Sequence, residues 1–155
     1  MKKLFFLGLV SLFIYSCSSN SNESANTENT EQAESMVEEP EVASDQGIGK
    51  FKDVVLSETI DPALVAKGAA ITDVKCASCH KMTDEKLVGP GWKGVTKRRT
   101  PAWILNFITN VDEMLTKDPE AQAQLEICLV RMPNQNLSDD DAKHILEFMR
   151  DNDNK

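Results

Sequence analysis

The chain has 155 residues and a mass of 17.2 kDa, room for one domain once its ends are set aside. Its formal charge is −8, yet residues 18–45 alone hold eight acids (Glu23, Glu28, Glu31, Glu34, Glu38, Glu39, Glu41 and Asp45) and no Lys or Arg. The remainder from residue 46 carries 15 bases against 17 acids, a near balance that argues against a nucleic-acid partner.

Met1-Lys2-Lys3 and the apolar run Leu4 to Tyr15 have the shape of a secretory signal, too short to span a bilayer. The run ends in Ile14-Tyr15-Ser16-Cys17, which resembles a bacterial lipoprotein cleavage box, with Tyr15 bulkier than is usual at its place. The resemblance implies that residues 1–16 are removed and that Cys17 becomes a lipidated N-terminus. Each buried methylene contributes about 0.8 kcal/mol, so two or three chains make a stable anchor where one is marginal. The plainer alternative is an ordinary signal cut nearby, releasing a soluble product. Either way the chain is expected beyond the cytoplasm, on the periplasmic side of a bacterial membrane if the anchor holds.

From Cys17 to Gly47 the composition is Ser, Asn, Glu, Gln, Thr and Ala with little that is apolar. Such a segment buries too little surface to offset the entropy of ordering and is predicted to be a disordered tether. About 30 flexible residues span roughly 30 Å, and like charges extend them further. A leash for a swinging domain and a plain solubilising spacer both fit. The folded domain is expected over residues 48–155.

Asp61-Pro62 predicts a helix start, with Asp at the N-cap and Pro at the first helical position. Leu64, Gly68 and Ile71 follow at helical spacing, and the helix runs into Cys76-Ala77-Ser78-Cys79-His80. Two thiols three apart with a histidine after the second form the attachment signature for a c-type haem. Each sulfur can add across one vinyl group, and His80 then lies under the porphyrin where an imidazole nitrogen reaches iron. A zinc site lacks its second half, because only Cys17, Cys128 and His144 remain. A dithiol redox pair is disfavoured by the absence of any βαβ pattern.

Gly68, the Cys76–His80 motif, Gly89-Pro90 and Met132-Pro133, in that order, resemble a monohaem class I cytochrome c over about residues 55–152. The run from Gly89 to Ile104, with Met114 to Pro119, is similar to small cytochromes c found beside nitrous oxide reductases. The resemblance implies that the last helix crosses Gly68 closely, with Phe148 over it; Thr72 stands where an aromatic is frequent. It also implies that the Pro90 carbonyl accepts a hydrogen bond from His80, fixing the ring and raising its basicity toward iron.

After the Gly-Pro turn comes a basic knot, Lys93, Lys97, Arg98 and Arg99. One arginine, Arg98 or Arg99, is a candidate partner for a haem propionate; the others either steer an acidic redox partner or form a solvated loop. Thr100-Pro101 predicts a second helix with Trp103 and Phe107 on one stripe and Ile104 and Ile108 beside it. Trp103 is expected to pack against haem, with an indole hydrogen bond to a propionate as the alternative. Asp118-Pro119 predicts a third helix burying Leu125, Cys128 and Leu129. Cys128 is either a small buried apolar residue or an exposed thiol that forms a disulfide dimer. Ser138, with Asp141 three on, caps a last helix whose stripe is Ala142, Ile145, Leu146 and Met149. No segment alternates as a strand, so the fold is expected to be all-α.

Met132 is the leading sixth ligand, because it sits before Pro133 in a short loop that can hold its thioether toward a flat cofactor. Met114 is the rival, in a stretch between helices. Met82 is too near the attachment site, Met149 belongs to a packing stripe, and His144 has the charged helical neighbours Asp140, Lys143, Glu147 and Asp151. A histidine and a methionine on iron leave no open position. The expected function is therefore a one-electron carrier between a quinol-oxidising complex and a terminal reductase or oxidase, nitrous oxide reductase among them. The alternatives are a five-coordinate haem sensor or peroxidase-like enzyme, and a fixed cytochrome subunit of a larger complex.

Overall fold

The structure, a computed structural model, describes residues 45–155. The signal, Cys17 and the tether as far as Ser44 lie outside the described residues. Six helices and no strand occur among the described residues: α1 Pro62–Lys75, α2 Val95–Arg98, α3 Pro101–Thr109, α4 Val111–Lys117, α5 Pro119–Cys128 and α6 Asp139–Asp153. The all-α expectation holds.

The four predicted starts are capped as their sequences demand. Asp61 accepts from the Ala63 amide at 2.8 Å, Thr100 from Trp103 at 3.2 Å, Asp118 from Ala121 at 2.8 Å and Ser138 from Asp141 at 3.1 Å. Each oxygen satisfies one amide that the first turn leaves without a partner, and proline at the first position of three of these helices removes another.

The core is built around the crossing of α1 and α6. A β-carbon on Gly68 would overlap the His144 carbonyl and stand 2.8 Å from Phe148 Cβ, so only glycine permits this approach. Ala142, Ile145, Leu146 and Met149 all bury on the face of α6 turned inward. Thr72 is 2% exposed close by, and its hydroxyl is the one buried side-chain polar atom among the described residues without a partner. That is the physical consequence of a threonine standing where an aromatic ring is frequent.

Two helices were not anticipated, and one changes a residue's role. Met114 lies on α4, between the acidic first turn at Asp112 and Glu113 and the closing Lys117, and it is fully buried. The stretch is not a loose connection. The sulfur of Met114 accepts the Ile48 amide at 2.9 Å.

The Asn106 side chain reinforces this contact by accepting from the Phe51 amide at 2.9 Å and donating to the Gln46 and Phe51 carbonyls at 2.8 and 2.9 Å. Thr100 donates to the Asp45 carbonyl at 2.5 Å. Residues 45–47, which composition assigns to the tether, are thus bonded to the domain: polar side chains do not mark a segment whose backbone is held by another helix.

Candidate functional site

The attachment motif begins where α1 unwinds. Cys76 is its C-cap, and the amides of Cys79 and His80 both donate to the Cys76 carbonyl at 3.0 Å, which closes a tight turn after the helix. Burial pushes the Cys76 thiol up to about 11, so it is protonated at neutral pH. That is the reverse of the environment a metal thiolate needs.

His80 is fixed from two sides. Its Nδ1 lies 2.9 Å from the Pro90 carbonyl, which can only accept, so the proton sits on Nδ1 and the lone pair on Nε2. Gly89 packs flat against the ring: a β-carbon there would stand 2.8 and 2.9 Å from its two nitrogens. The Trp92 ring lies 5.4 Å away on centroids. Burial lowers the imidazole pKa, while the Pro90 carbonyl opposes this. The ring is thus held neutral, the form that binds metal.

His80 lines a cleft with about 1160 Å³ of empty space, counting the part continuous with solvent. Its walls are largely apolar, with Ile104, Phe107, Leu115 and Leu125 from three helices, and Met132 and Cys79 border it. An apolar slot with a thiol, an imidazole and a thioether on its rim is the donor set of a covalently attached haem, and the residues present fit that group.

Of the candidates drawn from sequence, Cys79, His80, Pro90, Arg98, Arg99, Trp103 and Met132 line this cleft, and Cys76 is buried at the helix end beside it. Met114 and His144 do not line it, and Met82 packs on the core elsewhere. Met149 borders the cleft from the buried stripe of α6.

Several expected roles change. The Trp103 indole donates to the Asp118 carboxylate at 3.2 Å, so its N–H is already used and is not offered to a propionate. Arg99 pairs with Glu120 at 2.6 Å and lies 4.6 Å over the Trp103 ring, while Arg98 donates to the Lys93 carbonyl at 2.6 Å. Lys93 in turn donates to the Asn152 carbonyl at 3.0 Å. Lys93, Arg98 and Arg99 thus each make an internal bond, and Arg98 and Arg99 do so while lining the cleft. Cys128 is neither buried filler nor fully exposed; it is half-buried on the cleft wall. Leu129, expected inside, is 84% exposed with φ of 60° where α5 ends.

Asp118 was legible only as a helix cap. Nothing in its local sequence says that it also orients an indole fifteen residues away. Phe107, stacked on Trp103 with centroids 5.1 Å apart, was visible as a stripe but not as a cleft wall.

The family model for cytochrome c matches residues 65–153. Among solved structures, the chain is similar to cytochrome c from Rhodothermus marinus, with 34% identity and a TM-score of 0.68, covering 75% of this chain and 98% of that one. An engineered form of that cytochrome matches at 32% identity and a TM-score of 0.68, covering 72% and 96%. A further engineered form, bound to a carbene intermediate, matches at 32% identity with a TM-score of 0.65 and the same coverage. No curated protein sequence gives a match.

Proposed function

The chain belongs to the cytochrome c family and carries that family's covalent haem c, and on this premise we propose a His/Met-ligated, lipid-anchored one-electron carrier facing the periplasm. Once attached, the haem supplies a one-electron couple at iron. Cys76 and Cys79 hold it through thioether bonds, so it stays bound through every turnover. His80 presents Nε2 to iron, and Pro90 holds the ring by its far nitrogen at 2.9 Å. Met132 would supply the second protein ligand to the iron. Ile104, Phe107 and Leu125 exclude water and so limit the reorganisation that accompanies a change of charge.

The observation that carries this reading is the His80–Pro90 bond inside a cleft that also holds Cys79 and Met132. Met132 is favoured over Met149 because it sits on a loop between α5 and α6, free of a helix packing stripe. Met114 is disfavoured by its place, since its sulfur accepts the Ile48 amide and it does not line the cleft.

Partner docking is better supported at an apolar rim than at the basic knot. Val88 and Val130 border the cleft and are exposed. Leu87, Ile127 and Leu129 adjoin them, and Lys86 ties the two segments together by donating to the Ile127 carbonyl at 2.8 Å. Contact there brings a partner's redox centre to the cleft mouth. The donor is a quinol-oxidising complex and the acceptor a terminal reductase or oxidase, with nitrous oxide reductase the narrower choice. The anchor is Cys17, from its cleavage-box sequence.

Three measurements on the mature protein test this. Its denatured mass is expected to retain one porphyrin, its ferrous form to resist carbon monoxide, and its ferric form to show the far-red sulfur-to-iron band. Ready carbon monoxide binding would mean an open iron position and would replace the carrier with a sensor or peroxidase-like protein.

A further inference from the structure

The loop that carries Pro90 is held at its far end by a carboxylate from the opposite end of the chain. Helix α2 has only Gly94 at its N-cap, in the left-handed conformation with φ of 76°, and a glycine offers no side-chain oxygen to its first amides. Asp153, the last residue of α6, supplies it instead. Its Oδ1 accepts the Gly94 amide at 2.5 Å, and its Oδ2 accepts the Thr96 amide at 2.8 Å and the Thr96 hydroxyl at 2.7 Å. The carboxylate is 5% exposed, so these charge-assisted bonds are shielded from water.

Its neighbour Asn152 works on the same loop. Asn152 accepts Lys93 Nζ on its carbonyl at 3.0 Å and donates its side chain to the Met82 carbonyl at 2.9 Å. Between these anchors and His80 the loop lies along the attachment segment: Gly89 donates to the Cys79 carbonyl and Trp92 to the Lys81 carbonyl, both at 2.9 Å. Three residues, Gly91, Trp92 and Lys93, lie between Pro90 and Gly94. A shift at Gly94 therefore reaches the oxygen that sets the histidine.

We propose that Asp153 is a positioning residue for the proximal histidine: by capping α2 from the end of α6 it fixes the loop that aims the Pro90 carbonyl at His80, and so sets the reduction potential. This rests on His80 being the iron ligand. A strong bond from Nδ1–H makes the imidazole a better donor and favours ferric iron; loosening it raises the potential.

The test uses full-length holoprotein with Asp153→Ala and Asp153→Asn. Asn keeps the shape but has one accepting oxygen for two amides, and it serves if the alanine variant does not fold. Expected are a higher potential, an upfield shift of the His80 Nδ1 proton in the ferrous protein, and exchange of the Gly94 and Thr96 amides faster by roughly tenfold or more, the factor a lost charge-assisted hydrogen bond corresponds to. Glu147→Gln is the control, since it weakens the bond from α6 to Asp61 and the Glu147–Arg150 pair within α6 without touching this loop. Lowered thermal stability in the Asp153 variants with an unmoved potential and Nδ1 proton, or a Glu147→Gln variant that moves both equally, overturns the proposal. A wild-type protein with no histidine Nδ1 proton among its haem-shifted resonances overturns the ligation itself, and this proposal with it.

Discussion

Trp103 donates its indole N–H to Asp118 at 3.2 Å, and the same carboxylate oxygen accepts the Ala121 amide at 2.8 Å. One buried atom therefore starts α5 and orients an indole on the cleft wall. Asp118→Ala removes the cap, worth about 1 kcal/mol, and leaves a buried indole donor unsatisfied at about 1–3 kcal/mol. The expected loss, about 2–4 kcal/mol in chemical denaturation, would be refuted by a change within about 0.5 kcal/mol, the usual range for surface positions.

Substituting methionines separates the cleft sulfur from the core sulfur. Met132→Ala is expected to abolish the far-red ferric band, whereas Met114→Leu and Met149→Leu keep it. Met114→Leu gives up the acceptor for the Ile48 amide and should speed hydrogen exchange at that amide. A band that survives Met132→Ala assigns the iron to another ligand.

Acid should weaken the fold through His80. Burial lowers its folded pKa below the ordinary 6.5, so the unfolded chain takes up the proton first. Stability from this group is full above that value and is lost as pH falls below it toward the folded pKa. Iron on Nε2 acts in the same direction, since metal and proton compete for one lone pair. Stability that rises between pH 7 and pH 5 would contradict this.

At the α1–α6 crossing, Thr72→Val replaces an unpartnered hydroxyl with a methyl of nearly the same shape. Removing a buried polar group that makes no bond is expected to be neutral or stabilising by up to about 1 kcal/mol. A clear fall in melting temperature would reveal a partner for the hydroxyl, such as a bound water.

Leu129 sits in the left-handed region with its side chain in solvent, a conformation that costs a β-substituted residue about 1–2 kcal/mol. Leu129→Asn, which tolerates that conformation better, should stabilise the protein by a fraction of this. The same change should slow electron transfer to the physiological acceptor by removing part of the apolar rim. The rate should also depend only weakly on ionic strength, since the rim residues Val88, Leu129 and Val130 carry no charge. A steep salt dependence, or a Leu129→Asn variant as fast as wild type, would return docking to the basic residues.

The covalent site was readable from the chain itself because its chemistry is local. Two thiols and a histidine on one turn need no distant residue to declare themselves, and Asp61, Thr100, Asp118 and Ser138 announce their helices through oxygens that bond amides two or three residues on. Gly68 likewise pointed to a close crossing. What only the folded chain decided was the assignment of side chains that have two uses. Met132 leads Met114 in sequence only by its place before Pro133, and the fold shows one bordering the cleft and the other buried against Ile48. Arg98 and Arg99 both line the cleft, and only the fold shows that they also bond the Lys93 carbonyl and Glu120. Asp153, at the end of a helix, gives no hint that it caps another helix 58 residues before it (Val95). These choices depend on which surfaces meet across long separations in the chain, and periodicity and spacing report only on neighbours.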